Sequence, residues 1–265
     1  MRLMTWNVWW RFGGPAWRAR QDAIAAVVEA VRPDVLGLQE AWLADGRSQA
    51  DEIAARLGQH AAFVPISVPP VPEPAEHPEQ VGVEMGVGLV SRWPVRAVTR
   101  HVLPAQHREP PAALVATLDH PAGPLHVVVA CTEWEVDRAD DHLAQTRALA
   151  ALLTDPGLDG DLPVVFLGDL NAGPGTPELA PLDAVATDLW SAGGGDPDAV
   201  TLSSAVPFAP LEAVKQIDRR IDHAYARPGR PGASVVAHGS VLAGTAEVDG
   251  VLPSDHWAVV TDLDV

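Results

Sequence analysis

Two packed β-sheets with helices on their outer faces, an α/β architecture, is the fold that three features of this sequence predict. Short apolar strand patterns occur both in direct succession and separated by helical segments, so antiparallel runs and helix-linked units share one chain. No internal repeat and no change of composition divides the sequence, and residues 1–265 read as a single domain. With 47% hydrophobic residues over 265 positions, the chain has enough apolar material for one large core.

The elements follow in order. Residues 2–8 read as a short strand. In 16–31, Ile24, Val27, Val28 and Val31 recur at i, i+3, i+4 and i+7, which predicts an amphipathic helix stopped by Pro33. Val35–Leu38 is a second strand, and 48–57 a short helix ended by Gly58. Residues 67–80 carry Pro69, Pro70, Pro72, Pro74 and Pro78 and read as an extended surface loop, with strand patterns resuming on both sides. Val87–Val90, Val95–Val102, Ala113–Leu118 and Leu125–Cys131 are consecutive strands punctuated by prolines. A helix over about 139–153 places Thr146, Leu149, Ala150 and Leu153 on one face. Val164–Leu167 is a continuous apolar run, the pattern of a strand buried on both faces. Gly193-Gly194-Gly195 is a loop, and Ile221–Ala226, Ser234–Val241 and Trp257–Leu263 are the closing strands.

Composition narrows the function classes. Eighteen Lys and Arg face 35 Asp and Glu, a formal net charge of −17, and such a field repels phosphate backbones. Nucleic acid is therefore not the expected partner, although a local phosphate site held by a metal ion is compatible with that charge. One cysteine, Cys131, excludes an intrachain disulfide framework and a cysteine-rich zinc module. No apolar run approaches the ~18 residues of a membrane span, and Met1–Trp6 lacks the apolar core and cleavage site of a signal peptide. A cytoplasmic location is the expectation. Nothing in the sequence speaks to oligomeric state.

Glycine-rich phosphate loops, the dinucleotide fingerprint, G-x-S-x-G and H-E-x-x-H are all missing. What remains is a set of polar residues at the ends of apolar strands, where α/β folds present their sites. Asn7 follows the first strand, and Glu40 ends the second in Leu38-Gln39-Glu40. Gly168-Asp169-Leu170-Asn171 follows the most apolar strand, with Asp169 and Asn171 two apart. Arg220-Ile221-Asp222-His223 opens one late strand, and Ser254-Asp255-His256 precedes the last. Taken singly, each reads equally as a solvated strand end or an Asx turn.

In order, the set N…QE…GDxN…RID…SDH resembles the endonuclease/exonuclease/phosphatase superfamily of metal-dependent enzymes, and Gly88–Pro94 is similar to that family's central Ser-Arg-x-Pro strand. The resemblance runs from Thr5 to His256. It implies a four-layered α/β sandwich and a divalent cation, Mg²⁺ or Mn²⁺. By motif, it implies Glu40 as a principal metal ligand with Asn7 and Asp255 close by, all oxygen donors suited to a hard cation. Asp169 would orient or deprotonate the attacking water, and Asn171 would hold a phosphate oxygen. His256, oriented by Asp222, would contact the phosphoryl group or act as acid or base.

Two departures bear on substrate. Where most of the family carries a histidine in a T-H-L-D stretch, this chain aligns Cys131, within Leu125–Trp134, so the usual acid for the leaving group is missing. His142 on the following helix is the nearest substitute in sequence. After Glu40, where DNA-cleaving members often have a basic residue, stand Ala41 and Trp42. Nine Trp against one Tyr and four Phe is an unusual ratio, and Trp9, Trp42 and Trp134, with Cys131, are the expected pocket residues. The leading expectation is hydrolysis of a phosphodiester or phosphomonoester on a small or lipid-like molecule. The alternatives are a non-hydrolytic Lewis-acid cyclisation or rearrangement, a nuclease, and a catalytically idle binding protein.

Overall fold

The apolar runs form thirteen strands in two sheets, and amphipathic segments cover them, in the computed structural model, which describes residues 1–265 apart from the side chain of Pro15. The chain runs β1 (Arg2–Asn7), α1 (Trp17–Val31), β2 (Val35–Ala44), β3 (Arg47–Ser48), α2 (Gln49–Leu57), β4 (His60–Pro65), β5 (Glu84–Ser91) and β6 (Val95–Val102). It continues through β7 (Ala112–His120), β8 (Gly123–Cys131), α3 (Ala139–Leu153), β9 (Val164–Asp169), α4 (Ala180–Asp183), β10 (Thr187–Asp188), α5 (Leu189–Ala192), β11 (Asp222–Arg227), β12 (Ala237–Ala243) and β13 (Ala258–Leu263).

One sheet has the order β12-β13-β1-β2-β5-β4, with β3 on β2, and the other β10-β11-β9-β8-β7-β6. Each contains a single parallel pair, β1 with β2 and β8 with β9, whose crossovers are α1 and α3. All other pairings of these strands are antiparallel. Parallel strands need a long crossover while antiparallel ones accept short turns, so the mixture of spacings in the sequence becomes two mixed sheets.

Strand alternation sorts the side chains into layers. Leu3, Val87, Leu89, Val127, Val129, Val165 and Leu167 fill the seam between the sheets. Their neighbours Val128, Ala130 and Phe166 face outward under Leu149 and Leu153 of α3, and Met4, Trp6, Leu36 and Leu38 face Ile24 and Val28 of α1 and Ile53 of α2. The order of layers is helix, sheet, sheet, helix, as the family resemblance implies. Helix α2 is fixed by a capping box in which Ser48 accepts from the Asp51 N–H and Asp51 accepts from the Ser48 N–H.

Boundaries differ from the sequence expectation where side-chain pattern gives way to tertiary pairing. Strand β2 runs on to Ala44, six residues past Leu38, because a bulge carries it across Gln39 and Glu40 and it resumes pairing with β5. Strand β12 begins at Ala237, not Ser234, and β4 has no strong β-pattern, with only one β-branched residue in His-Ala-Ala-Phe-Val-Pro.

Gly37 lies at a close approach of the two sheets. A Cβ there would lie 2.8 Å from Leu167 Cβ and 3.3 Å from Val129 Cγ1, both on the opposite sheet. Gly37→Val should therefore destabilise the fold by about 1–3 kcal/mol or more, through forced displacement of packed side chains. Urea unfolding would show a lower midpoint at an unchanged slope.

Candidate active site

The carboxyl ends of β1, β2, β8 and β9 lie at one edge of the sandwich, with the start of β11 and the turn before β13 beside them. Asn7 ends β1, Asp169 ends β9, and Asp222 opens β11 directly opposite Asp169 in the ladder. Glu40 reaches this edge through the β2 bulge, where its backbone adopts φ 52°, a left-handed conformation uncommon outside glycine. An isolated bridge between Leu202 and His256 seats the last motif against residues 201–202, and Thr201 Oγ1 accepts the N–H groups of both Ile221 and Asp222.

These side chains form a connected cluster. Asn7 Nδ2 donates to Glu40 Oε1 at 3.0 Å and to Asp169 Oδ2 at 2.9 Å, while its Oδ1 accepts from the Trp9 N–H at 3.0 Å. His256 Nδ1 meets Asp222 Oδ2 at 2.9 Å, which leaves Nε2 for the cleft that His256 lines. Ser254 Oγ donates to Asn7 O at 2.8 Å and lies 3.2 Å from Asp255 Oδ1. Ligand atoms of Asp169, Asp222 and His256 all lie within 4.8 Å of one another.

Crowding acids away from water disfavours their charge. Burial, then the neighbouring Asp255, pushes Glu40 up to about 8, and burial with Asp222 pushes Asp169 up to about 7. Burial also raises Asp255. For His256 burial works downward, but Asp222 and then Asp255 outweigh it and hold the imidazole well above its usual range. Asp222 Oδ1 is buried and has no hydrogen-bond partner. Several carboxylates with hard oxygen donors, facing one another and short of compensating charge, fit a divalent cation. Glu40 and Asp255 line the cleft as candidate ligands, with Asp169 beside them.

The cleft above this floor has a volume of about 550 Å³. Trp9 and Trp134 line it. Trp42 does not: it packs edge-on to Trp17 at 5.9 Å and donates its indole N–H to Gln21 Oε1, on the outer side of β2 near α1. The bulge accounts for this placement, because it turns Glu40 to the cleft and sends the side chain two residues later to the other surface. Cys131 is fully buried beneath the floor, paired in register with Asp169, its thiol pushed up by burial. Asn171 Nδ2 donates to Thr132 O at 3.0 Å and approaches Cys131 Sγ at 3.8 Å, so its amide donor is turned away from the cleft. Asn7 presents its NH₂ to Glu40 and Asp169 and so bridges the two carboxylates in this arrangement. His142 is buried behind β9, with Nε2 2.8 Å from Leu170 O, and does not line the cleft.

Three contributors are invisible to the motif search. Arg20 of α1 donates to the carbonyls of Trp9, Trp10 and Phe12 at 2.9–3.1 Å and lies over the Trp9 ring at 4.3 Å. Burial pulls it down to about 10, while Asp255 and Glu40 oppose that shift. Phe208 stacks on Trp9 with ring centroids 4.4 Å apart. Gln216 ties Trp134 O and Asn171 O together from below. Arg20 alone had a sequence signal, as a charge on the apolar face of a helix. A larger groove of about 1120 Å³ runs under the proline-rich loop and shares Pro70 with the cleft, but none of the carboxylates at its floor.

The family model for the endonuclease/exonuclease/phosphatase family matches residues 4–256. The chain belongs to this family. Among solved structures, it is similar to D. rerio TDP2 complexed with a single-strand DNA product, at TM-score 0.76 and 17% identity over 100% of this chain and 99% of that one. The human Nocturnin catalytic domain with bound sulfate matches at TM-score 0.74 and 18% identity, over 100% of this chain and 94% of that one. An endonuclease/exonuclease/phosphatase from Beutenbergia cavernae matches at TM-score 0.69 and 23% identity, over 99% of this chain and 71% of that one. None of the curated proteins compared matches the chain. The fold is that of metal-dependent phosphoesterases and nucleases, and among the described residues no helix is long and apolar enough to cross a membrane.

The raised carboxyls give a signed pH dependence. Folded, Glu40, Asp169 and Asp255 hold protons that the unfolded chain releases near pH 4, and His256 holds its proton above the unfolded value. Their stabilisation is complete at acid pH and is lost as pH climbs towards 8. Metal-free protein should therefore lose roughly 5 °C or more in Tm between pH 5 and pH 8, given about 2–4 °C per kcal/mol for a chain of this size. Glu40→Gln should flatten that slope, and Mn²⁺ should restore Tm at pH 8.

Proposed function

We propose that the protein is a divalent-metal-dependent hydrolase, with Mg²⁺ or Mn²⁺ as cofactor, acting on a phosphodiester or phosphomonoester of a small or lipid-like molecule. The observation that carries this reading is the cluster at the cleft floor, in which Asn7 joins Glu40 to Asp169 beside the Asp222–His256 pair. Glu40 and Asp255, with Asp169 adjacent, would hold the cation, whose positive charge offsets that developing on the phosphoryl oxygens.

The chain's own residues divide the remaining work. Asp169, held by Asn7 and by the Asn171 N–H at 3.0 Å, orients the attacking water and takes its proton. His256 presents Nε2–H to a phosphoryl oxygen, and Asp222 fixes the ring and stabilises its charged form. Asn171 joins them only if its amide leaves Thr132 O and turns into the cleft. Trp9, backed by Arg20 and Phe208, and Trp134 form walls that exclude water and receive the organic part of the substrate.

Neither Cys131, which is fully buried, nor His142, which does not line the cleft, is placed to protonate the leaving oxygen, and His256 is engaged with the phosphoryl group in this reading. A leaving group that departs as a stable anion is favoured, and the same gap supports a second reading, a Lewis-acid cyclisation or rearrangement that needs no such acid.

Hydrolysis of bis(p-nitrophenyl) phosphate and of an alkyl diester, each with Mg²⁺ or Mn²⁺, tests the reading. The nitrophenyl ester should turn over far faster, because general-acid help worth about 10²- to 10⁴-fold is missing for the alkyl ester. His256→Gln should lower kcat for the nitrophenyl ester by a similar factor, and Glu40→Gln should abolish turnover together with Mn²⁺ binding. Faster cleavage of single- or double-stranded DNA than of small diesters would replace this reading with a nuclease. No turnover of any ester by protein that binds Mn²⁺ would favour the non-hydrolytic one.

A further inference from the structure

Arg20 stands where the pattern of α1 calls for an apolar side chain. The buried positions of that helix are Trp17, Arg20, Ala23, Ile24, Ala25 and Val28, and Arg20 is only 3% exposed. A guanidinium withdrawn from water is costly unless its donors are engaged. Its hydrogen bonds all go to backbone carbonyls of the loop after β1. Nη2 donates to Trp9 O at 3.1 Å, Trp10 O at 3.0 Å and Phe12 O at 2.9 Å, and Nη1 reaches Val8 O at 3.4 Å. Nε has no partner, so everything the group holds lies at its loop-facing end. The N–H groups of the same loop face the other way. Val8 donates to Gln39 O at 2.9 Å and Trp10 to Glu40 O at 3.0 Å, across the β2 bulge. Between them Trp9 adopts φ 52°, a left-handed conformation that a bulky residue keeps only where its surroundings impose it.

We infer that Arg20 is a positioning residue for the cluster at the cleft floor: it holds Trp9 so that the Trp9 N–H anchors Asn7 Oδ1 and the Asn7 amide spans Glu40 and Asp169. Each link has a distance. The guanidinium carbon lies 4.3 Å from the centroid of the Trp9 ring and fixes the ring as well as the carbonyl. The Trp9 N–H donates to Asn7 Oδ1 at 3.0 Å, which sets the plane of the amide. Asn7 Nδ2 then meets Glu40 Oε1 at 3.0 Å and Asp169 Oδ2 at 2.9 Å. A residue that merely filled the apolar face of α1 would need no charge, and a bare charge behind Glu40 and Asp255 would need no set of carbonyls. The planar, multiply donating group serves the loop. That this chain of contacts serves catalysis rests on the phosphoesterase reading; the contacts themselves do not.

The sequence offers a direct probe, because asparagine occurs only at positions 7 and 171. Metal-free protein carrying isotopically labelled asparagine shows one side-chain amide pair for each in proton–nitrogen NMR, and Asn171→Ala removes one and so assigns the other. In the wild type the Asn7 pair should stand apart from a solvated amide and exchange slowly with water, since its nitrogen donates to two carboxylates. Arg20→Met, similar in length and without charge, should shift that pair and speed its exchange while the Asn171 pair, held by Thr132 O, stays in place. Arg20→Lys keeps the charge but ends one bond short of Nη2, and the same displacement is expected. This milder variant carries the test if Arg20→Met loses both pairs by unfolding. With Mn²⁺ present, kcat for bis(p-nitrophenyl) phosphate should fall by about tenfold or more in either folded variant. An Asn7 pair unchanged in folded Arg20→Met overturns the positioning role and leaves the phosphoesterase reading intact. A pair displaced by Arg20→Met but restored in Arg20→Lys assigns the effect to charge and overturns it too. A pair displaced in both variants, with no ester hydrolysed by the wild type, upholds the role of Arg20 and overturns the phosphoesterase reading.

Discussion

Four carboxylates brought together with little compensating charge are the constraint on which the architecture of this site depends. Glu40, Asp169, Asp222 and Asp255 come from β2, β9, β11 and the turn before β13, and they meet only because two sheets present their ends at one edge. Left to themselves they repel, and the fold answers with three local devices. Asn7 donates to two of them, His256 charges beside a third, and Arg20 lends its field from behind the loop that follows β1. Even so, burial first and the neighbouring acids second push Glu40 and Asp169 upward. Unrelieved charge of this kind stores affinity for a hard cation, and the cost is carried by the stability of the metal-free protein.

Much of that arrangement was legible in the sequence because it lies at strand ends. An acidic or amide residue that terminates an apolar run has a defined place in an α/β fold, and the order of Asn7, Glu40, Asp169, Asp222 and His256 matches one family, to which the chain belongs. The two helical segments that carry the parallel crossovers, read at 16–31 and about 139–153, were equally legible, although which strands they join was not.

Local geometry was not legible. A bulge at Gln39–Glu40 carries no mark in Leu-Gln-Glu-Ala-Trp, yet it decides that Glu40 faces the cleft and that Trp42 packs on Trp17 instead. The family resemblance implies Asn7 close to a metal, whereas its bridging of Glu40 and Asp169 through the amide NH₂ follows from where the fold sets the two carboxylates. Asn171 and Cys131 show the same dependence. Where the family's usual histidine is replaced by a small thiol, the Asn171 amide settles over it and onto Thr132 O. The walls of the cleft come from loops around Glu76, Phe208 and Glu212, which have no periodicity to read and no motif to match.

Proton release on metal binding addresses the central claim, that buried and mutually repelling carboxylates await a cation. Calorimetric titration of the metal-free protein with Mn²⁺ at pH 7, repeated in buffers of different ionisation enthalpy, counts those protons directly. With Glu40 pushed up to about 8 and Asp169 to about 7, the account predicts a stoichiometric complex that expels one or more protons per ion at that pH. Binding with heats independent of the buffer, or no binding at all, would contradict it.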